Sequence, residues 1–296
     1  MLVGDAELDL SLGQKQAHHE LRDEQDRRQC AGNEQEPFHC ERGSFRIGVR
    51  VSGWDRGIEV GKSMNAGRIR ENLRQVEDRM AEAARRSGRA AGSVRLVAVT
   101  KRRPNDQVRA LYESGARDLG ENYPQELWGK VEALANLGPG IRWHLIGHLQ
   151  SNKVKKTFPM VAMIHAVDSL KLLRILDEAA RSMEHPPSVC LQVNTSSEAN
   201  KHGWEGTSIL DDAEAIAACR SIPIVGLMTM AALGTDGEGA RPSFVALRGV
   251  RDRLRERTGL AFDELSMGMS GDFEAAIEEG ATIVRVGSAL FEGAES

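Results

Sequence analysis

The chain has 296 residues, 41% of them hydrophobic and 28% charged, with a formal net charge of −4. That balance excludes a surface built for a polyanion such as nucleic acid, and no apolar run is long enough to cross a bilayer. Met1 to Leu12 mix Asp5, Glu7 and Asp9 among leucines, so the start lacks the basic and apolar regions of a secretory signal. The four cysteines, Cys30, Cys40, Cys190 and Cys219, show no C-x-x-C spacing, which suits a reducing compartment, and a cytoplasmic setting is expected.

Residues 1–63 differ in character from the remainder of the chain. The run from His18 to Gln29 is nearly all polar, and the apolar residues after it keep no period, so a disordered or weakly ordered extension is expected here. His18, His19, Cys30, His39 and Cys40 match no common zinc spacing. Periodic sequence begins near Met64, which is a candidate start of the functional chain, and residues 64–296 are expected to form one domain. From Asn65 onward Ile69, Leu73, Val76, Met80 and Ala83 recur at helical spacing until Ser87-Gly88, which predicts an amphipathic N-terminal helix.

The next stretch, Val94 to Lys101, is a β-rich apolar run ending in a lysine and followed by Arg102-Arg103-Pro104. Alternation puts Val97, Val99 and Lys101 on one face and Leu96, Ala98 and Thr100 on the other; both faces are apolar, as in a parallel sheet covered on both sides. Lys101 is thus expected to point into a core, where an ammonium must neutralise, find an anion or bond to a carbonyl. Alternatively it snorkels to water from the strand end.

Strand-like and helical stretches then alternate. The strands are Ala116 to Glu121, Arg142 to Ile146, Met163 to Val167, Val189 to Val193, Ile224 to Met230, Asp263 to Met267 and Thr282 to Val286; the helices carry stripes such as Val108-Leu111-Tyr112, Leu127-Trp128-Val131-Leu134 and Leu170-Leu173-Leu176-Ala180. Eight strand–helix units predict an α/β fold, a single closed parallel (β/α)8 TIM barrel. An open doubly wound sheet is the competitor, but no G-x-G-x-x-G follows the first strand.

In such a barrel the function lies at the C-terminal ends of the strands. There the sequence places Lys101, then Gly120-Glu121-Asn122-Tyr123, then the polar run His144 to Lys153, then Asn194 to Gly203 with Lys201. His144 and His148 are also ordinary candidates for structural histidines. After the last two strands come Ser266-Met267-Gly268-Met269-Ser270-Gly271-Asp272 and Arg285-Val286-Gly287-Ser288: small residues at two adjacent helix starts, an arrangement that holds anions, though Ser270 also reads as an N-cap and the glycines as turn formers. Arg285 shares a face with Ile283 and needs an anion or acceptor whichever way it points. A Schiff-base-competent lysine and an anion cradle in one mouth suggest a phosphorylated aldehyde or ketone, and pyridoxal 5′-phosphate (PLP) fits both ends.

These motifs resemble a known family. Thr100-Lys101 with Pro104, Gly120 to Tyr123, His144 to Gly147 with Leu149 to Lys153, Asn200-Lys201 with Gly203, Gly226-Leu227-Met228, Ser266 to Ser270 with Asp272, and Val284 to Gly287 are similar, in order, to the pyridoxal phosphate homeostasis proteins, single-domain relatives of the barrel half of alanine racemase. The resemblance implies that Lys101 carries the cofactor as a Schiff base, that Ser270, Gly287 and Ser288 hold its phosphate, that Arg285 lies near the phosphate or the pyridine nitrogen, and that Asn122 and His144 line the pocket. A lysine recurs at the position of Lys201, where a part in cofactor transfer is expected. Function is then buffering or delivery of PLP, without catalysis, by a monomer whose partners are apo PLP-dependent enzymes. The alternative is a PLP-dependent amino acid racemase or decarboxylase; the racemases take a tyrosine from an added β-domain, and this sequence stops soon after the eighth strand. A Schiff-base aldolase acting on a sugar phosphate is a third reading, and it predicts a colourless protein. Two features depart from the pattern: Arg103 stands where many members carry a second lysine, and the extension has no counterpart.

Overall fold

The computed structural model describes residues 55–196, 202–232 and 234–294, with side chains from Asn65 onward, all within a unit of the chain that begins at Gly53. The expectations placed on the first 54 residues and on Lys201 lie outside the described residues. Eight parallel strands form a closed ring in the order β1 (Arg95–Val99), β2 (Asp118–Glu121), β3 (Arg142–Leu145), β4 (Met163–Val167), β5 (Ser188–Asn194), β7 (Ile224–Met228), β8 (Glu264–Ser266) and β9 (Ile283–Val286), with β9 pairing back onto β1. The expected (β/α)8 barrel is thus the architecture found. A two-residue strand, β6 (Trp204–Glu205), pairs only with the end of β5 and was not expected.

The helices cover the outside of the ring. They are α1 (Asp55–Arg86), α2 (Asn105–Glu113), α3 (Pro124–Ala133), α4 (Val154–Thr157), α5 (Leu170–Ala180), α6 (Ala213–Ala217), α7 (Gly237–Thr258), α8 (Phe273–Glu278) and α9 (Ser288–Phe291). Local chemistry sets several boundaries. Ser169 Oγ accepts the Leu172 N–H ahead of α5, and Asp236 Oδ1 accepts the Gly239 N–H at 2.9 Å ahead of α7, which ends at Gly259 with φ +71°. Helix α1 begins at Asp55, ten residues before the expected start, because Gly57 and Gly61 and a missing apolar stripe hide its first turns. Its expected stripe of Ile69, Leu73, Val76, Met80 and Ala83 is buried, facing α2, α8 and α9. Asn72 Nδ2 donates to the Leu290 and Glu292 carbonyls, tying α1 to the end of α9.

Two apolar clusters result. The large one fills the space between ring and helices, with Leu119, Leu145, Leu173, Phe244, Leu265 and Phe273 among its members. The small one lies inside the ring: Val97, Met163, Ala166, Cys190, Met228 and Ile283, with Ile146, Val225 and Met230 packed on it. Among the described residues no helix is long and apolar enough to cross a membrane.

Candidate functional site

Strand β1 ends at Val99, and the chain turns at once. Arg103 N–H donates to the Thr100 carbonyl at 3.0 Å, and Arg102 takes a left-handed φ of +59°, rare for a residue with a side chain. Alternation stops where the strand stops, so Lys101 does not follow Val97 and Val99 into the core; it is exposed at the mouth of the barrel, and the expected burial is corrected. Its neighbour Thr100 is fully buried and fixed from two sides. Lys130 Nζ on α3 donates to the Thr100 carbonyl and to Glu121 Oε1, both at 2.6 Å, and Thr100 Oγ1 donates to the same Glu121 oxygen at 2.5 Å. Burial raises the Glu121 carboxyl above its ordinary range, against the hydrogen bonds from Lys130 and Thr100. Behind the exposed lysine there is therefore a rigid, charge-assisted support. Arg103 lays its guanidinium over the Phe291 ring, 4.7 Å from the centroid.

The loops after β8 and β9 meet beside this strand end. Gly287 N–H donates to Ser270 Oγ at 3.2 Å, and Ser288 follows, exposed, at the start of α9. A Cβ on Gly287 would lie 3.2 Å from Val99 Cβ, and one on Gly268, whose φ is +96°, would lie 2.7 Å from Ala276 Cβ. Glycine at 287 lets the loop after β9 close onto β1, and glycine at 268 lets the loop after β8 pack against α8. Ser270, Gly287 and Ser288 are thus brought together, next to the end of the strand that carries Lys101.

Arg285 points inward, on the face of Ile283, with 4% of its surface exposed. Its Nη1 donates to Ser266 Oγ at 2.7 Å and its Nη2 to the Thr229 carbonyl at 2.8 Å, and both acceptors are neutral. Burial lowers the guanidinium pKa to about 10, with Asp272 pulling the other way.

From Ser266 a chain of buried groups crosses the interior. Ser266 Oγ lies 2.7 Å from His165 Nδ1, His165 Nε2 lies 2.9 Å from His144 Nδ1, and His144 Nε2 lies 2.9 Å from Asp118 Oδ1, which Arg142 also pairs. Burial depresses both histidines, His165 most, so both rings are neutral. Burial alone would raise Asp118, but the hydrogen bonds from His144 and Arg142 outweigh it and hold the carboxyl well below the usual range. One protonation pattern satisfies every group. His144 donates from Nε2 to the carboxylate, leaving Nδ1 to accept from His165 Nε2–H; His165 Nδ1 then accepts from the Ser266 hydroxyl, whose oxygen accepts from Arg285. The chain is polarised from a cation on β9 to an anion on β2.

A cavity of about 440 Å³ opens over the β2, β3, β4 and β5 side of the mouth, lined among others by Asn122, Tyr123, Gln150, Lys153, Gln192 and His202. Its floor includes Ile146 and Met230, which cap the inner apolar cluster. Asn122 stands in this wall; a Cβ on Gly147 would lie 2.2 Å from its carbonyl oxygen, so the β3 loop packs directly on it. Lys101, Ser270, Gly287 and Ser288 flank the other side of the mouth, over β1, β8 and β9. His144 does not line this cavity: it is buried, and both its ring nitrogens are hydrogen-bonded inside the ring, in the polar chain. Sequence reasoning missed Asp118, His165 and Lys130, and it did not relate Glu121 or Ser266 to their hydrogen-bonding partners. A histidine within the buried run Met163-Ile164-His165-Ala166-Val167 was the available signal for the second link.

Comparison with known proteins agrees with this fold. Residues 65–295 match the family model described as "Alanine racemase, N-terminal domain". The pyridoxal phosphate homeostasis protein of Pseudomonas aeruginosa is 41% identical over 223 residues, covering 75% of this chain and 94% of that protein. The human protein of that name is 40% identical over 231 residues, 74% of this chain and 84% of its own. The structure of PipY from Synechococcus elongatus PCC7942 with PLP bound superposes with a TM-score of 0.66 at 35% identity, over 75% of this chain and 99% of PipY. Alanine racemase from Bartonella henselae shares the fold, with a TM-score of 0.60 at 15% identity over 76% of this chain and 58% of that one. From its barrel, its ordered motifs and these identities, the chain belongs to the pyridoxal phosphate homeostasis protein family, built on the alanine racemase N-terminal domain.

Proposed function

We propose that this protein binds PLP as a Schiff base on Lys101 and, as a monomer, buffers it or passes it to apo PLP-dependent enzymes without turning over a substrate. The observation that carries the reading is Arg285: a buried cation whose two terminal nitrogens meet only neutral acceptors, and which is in no ion pair among the described residues. Such a charge favours an anionic or electron-rich partner. The cofactor supplies an aldehyde, a phosphate and a pyridine nitrogen. Lys101 offers an exposed amine for the first, its nitrogen replacing the aldehyde oxygen, which leaves as water. Ser270, the Gly287 backbone and Ser288 offer small, close-packed donors for the second. Asn122 adds a polar group on the wall of the mouth. The PLP-bound PipY structure and the names of the relatives support the same reading.

The test is an absorbance titration with PLP and with unphosphorylated pyridoxal. The parent protein is expected to turn yellow and to hold the phosphate ester more tightly, and Arg285→Ala to weaken retention by about 2 kcal/mol. Equal retention of pyridoxal and PLP by the parent would overturn the anion cradle. The racemase reading has one tyrosine to use at this mouth, since Tyr112 donates its hydroxyl to the Leu137 carbonyl while Tyr123 lines the cavity. Formation of D-alanine by the parent, lost in Tyr123→Phe, would favour that reading.

A further inference from the structure

On the cavity side of the mouth three loops bring together groups that the cofactor reading does not use. His148 lies in the loop after β3, Asp168 directly after β4, and His202 just before β6. His148 Nδ1 is 2.6 Å from Asp168 Oδ2, and His202 Nδ1 is 3.6 Å from the same oxygen. All three potential ligand atoms lie within 4.8 Å of one another. We propose that His148, Asp168 and His202 form a three-ligand site for a divalent transition metal of the class of Zn²⁺ at the rim of the barrel mouth.

The donor set is two imidazole nitrogens and one carboxylate oxygen, which suits a borderline ion and leaves at least one coordination position open. With metal–ligand bonds of about 2.1 Å, tetrahedral geometry places neighbouring ligand atoms about 3.4 Å apart. The observed 2.6 and 3.6 Å bracket that spacing, all three atoms lie within 4.8 Å, and both imidazoles are exposed, with room to turn toward a shared ion. The rings are stacked, 18° from parallel with centroids 4.8 Å apart. Both present Nδ1 to a single oxygen, yet only His148 is within hydrogen-bond distance of it; a shared cation uses both nitrogens at once.

The backbone under the ligands is fixed. Gln192 Nε2 donates to the His202 carbonyl at 2.9 Å, and Gly203, with φ +110°, lies so close to β5 that a Cβ would fall 2.6 Å from the Gln192 carbonyl oxygen. Gly147, next to His148, packs more closely still on Asn122. Asp168 is held at a strand end with its side chain only 10% exposed. His202 and Gly203 are thus seated on β5, His148 follows a glycine packed on Asn122, and the acid is nearly buried. Because His148 and His202 both border the cavity, the open coordination position would face it, ready for an oxygen of an anionic ligand.

The site does not depend on the cofactor reading and is tested without cofactor. The full-length protein is titrated with ZnCl2 by calorimetry alongside Asp168→Asn and the double substitution His148→Ala with His202→Ala. The parent should take up one more equivalent than either variant, or bind that equivalent at least about tenfold more tightly, which separates this site from cysteines and histidines elsewhere in the chain. Zn²⁺ should also raise the melting temperature of the parent more than that of Asp168→Asn, a near-isosteric change kept in case the double variant does not fold. Identical stoichiometry and affinity in the parent and Asp168→Asn would overturn the proposal.

Discussion

The outside and the inside of the ring are built differently. Between strands and helices the barrel packs a continuous apolar layer of large side chains, Leu119, Leu173, Phe244 and Phe273 among them, with no need of any particular partner. Inside, a few mostly small or flexible apolar groups share the space with Asp118, His144, His165, Ser266 and Arg285, each of which has a definite partner. The outer layer supplies non-directional stability, and the inner one supplies a fixed charge pattern under the mouth. Stability and function are thus expected to respond to different substitutions.

The largest effect should come from the outer layer. Phe244→Ala empties a fully buried site facing the ring and is expected to cost about 3–5 kcal/mol in denaturant unfolding, while leaving the ligand preference of the molecules that remain folded unchanged. A loss below about 1 kcal/mol would mean that α7 is not a structural wall.

His165→Leu takes the comparison inside. It removes the middle link, leaving the Ser266 hydroxyl and His144 Nδ1 without their partner, at an expected cost of about 1–3 kcal/mol. Unlike Phe244→Ala, it should also weaken PLP retention, because Ser266 then no longer holds Arg285 in one orientation. A variant as unstable as Phe244→Ala but with parental retention would show that the chain only fills space.

The smallest effect is one of pH. His144 and His165 have folded pKa values depressed below 6.5, so below that pH the unfolded chain binds protons that the folded one refuses. Their contribution to stability should be level well above pH 6.5 and fall as the pH drops through it, and Asp118, depressed below 3.8, should add a second loss at lower pH. His165→Leu should flatten the first part of the curve, as read from urea midpoints. An unchanged slope would place the sensitive groups elsewhere.

The same contrast explains what could be read in the sequence. The outer layer follows from periodicity, and the stripe from Ile69 to Ala83 and the eight strands were legible because burial imposes a repeat on the chain. The two-residue β6 is too short to show one. Lys101 was misdirected because alternation was carried past Val99, where the strand ends and Lys101 already lies in a turn. The inner chain joins β2, β3, β4, β8 and β9, so its partners are distant in sequence and no local spacing relates them. Arg285 was legible as a group needing a partner; that the partners are Ser266 and Thr229, and that His144 is committed inside, emerges only from closing the ring.

The central claim is that the exposed lysine after β1 is where the cofactor attaches. The full-length protein is incubated with PLP, reduced with borohydride, digested and analysed by mass spectrometry. The account predicts one pyridoxyl group per chain, on Lys101; a group found predominantly on Lys153 or Lys201, or retained in full by Lys101→Ala, would contradict it.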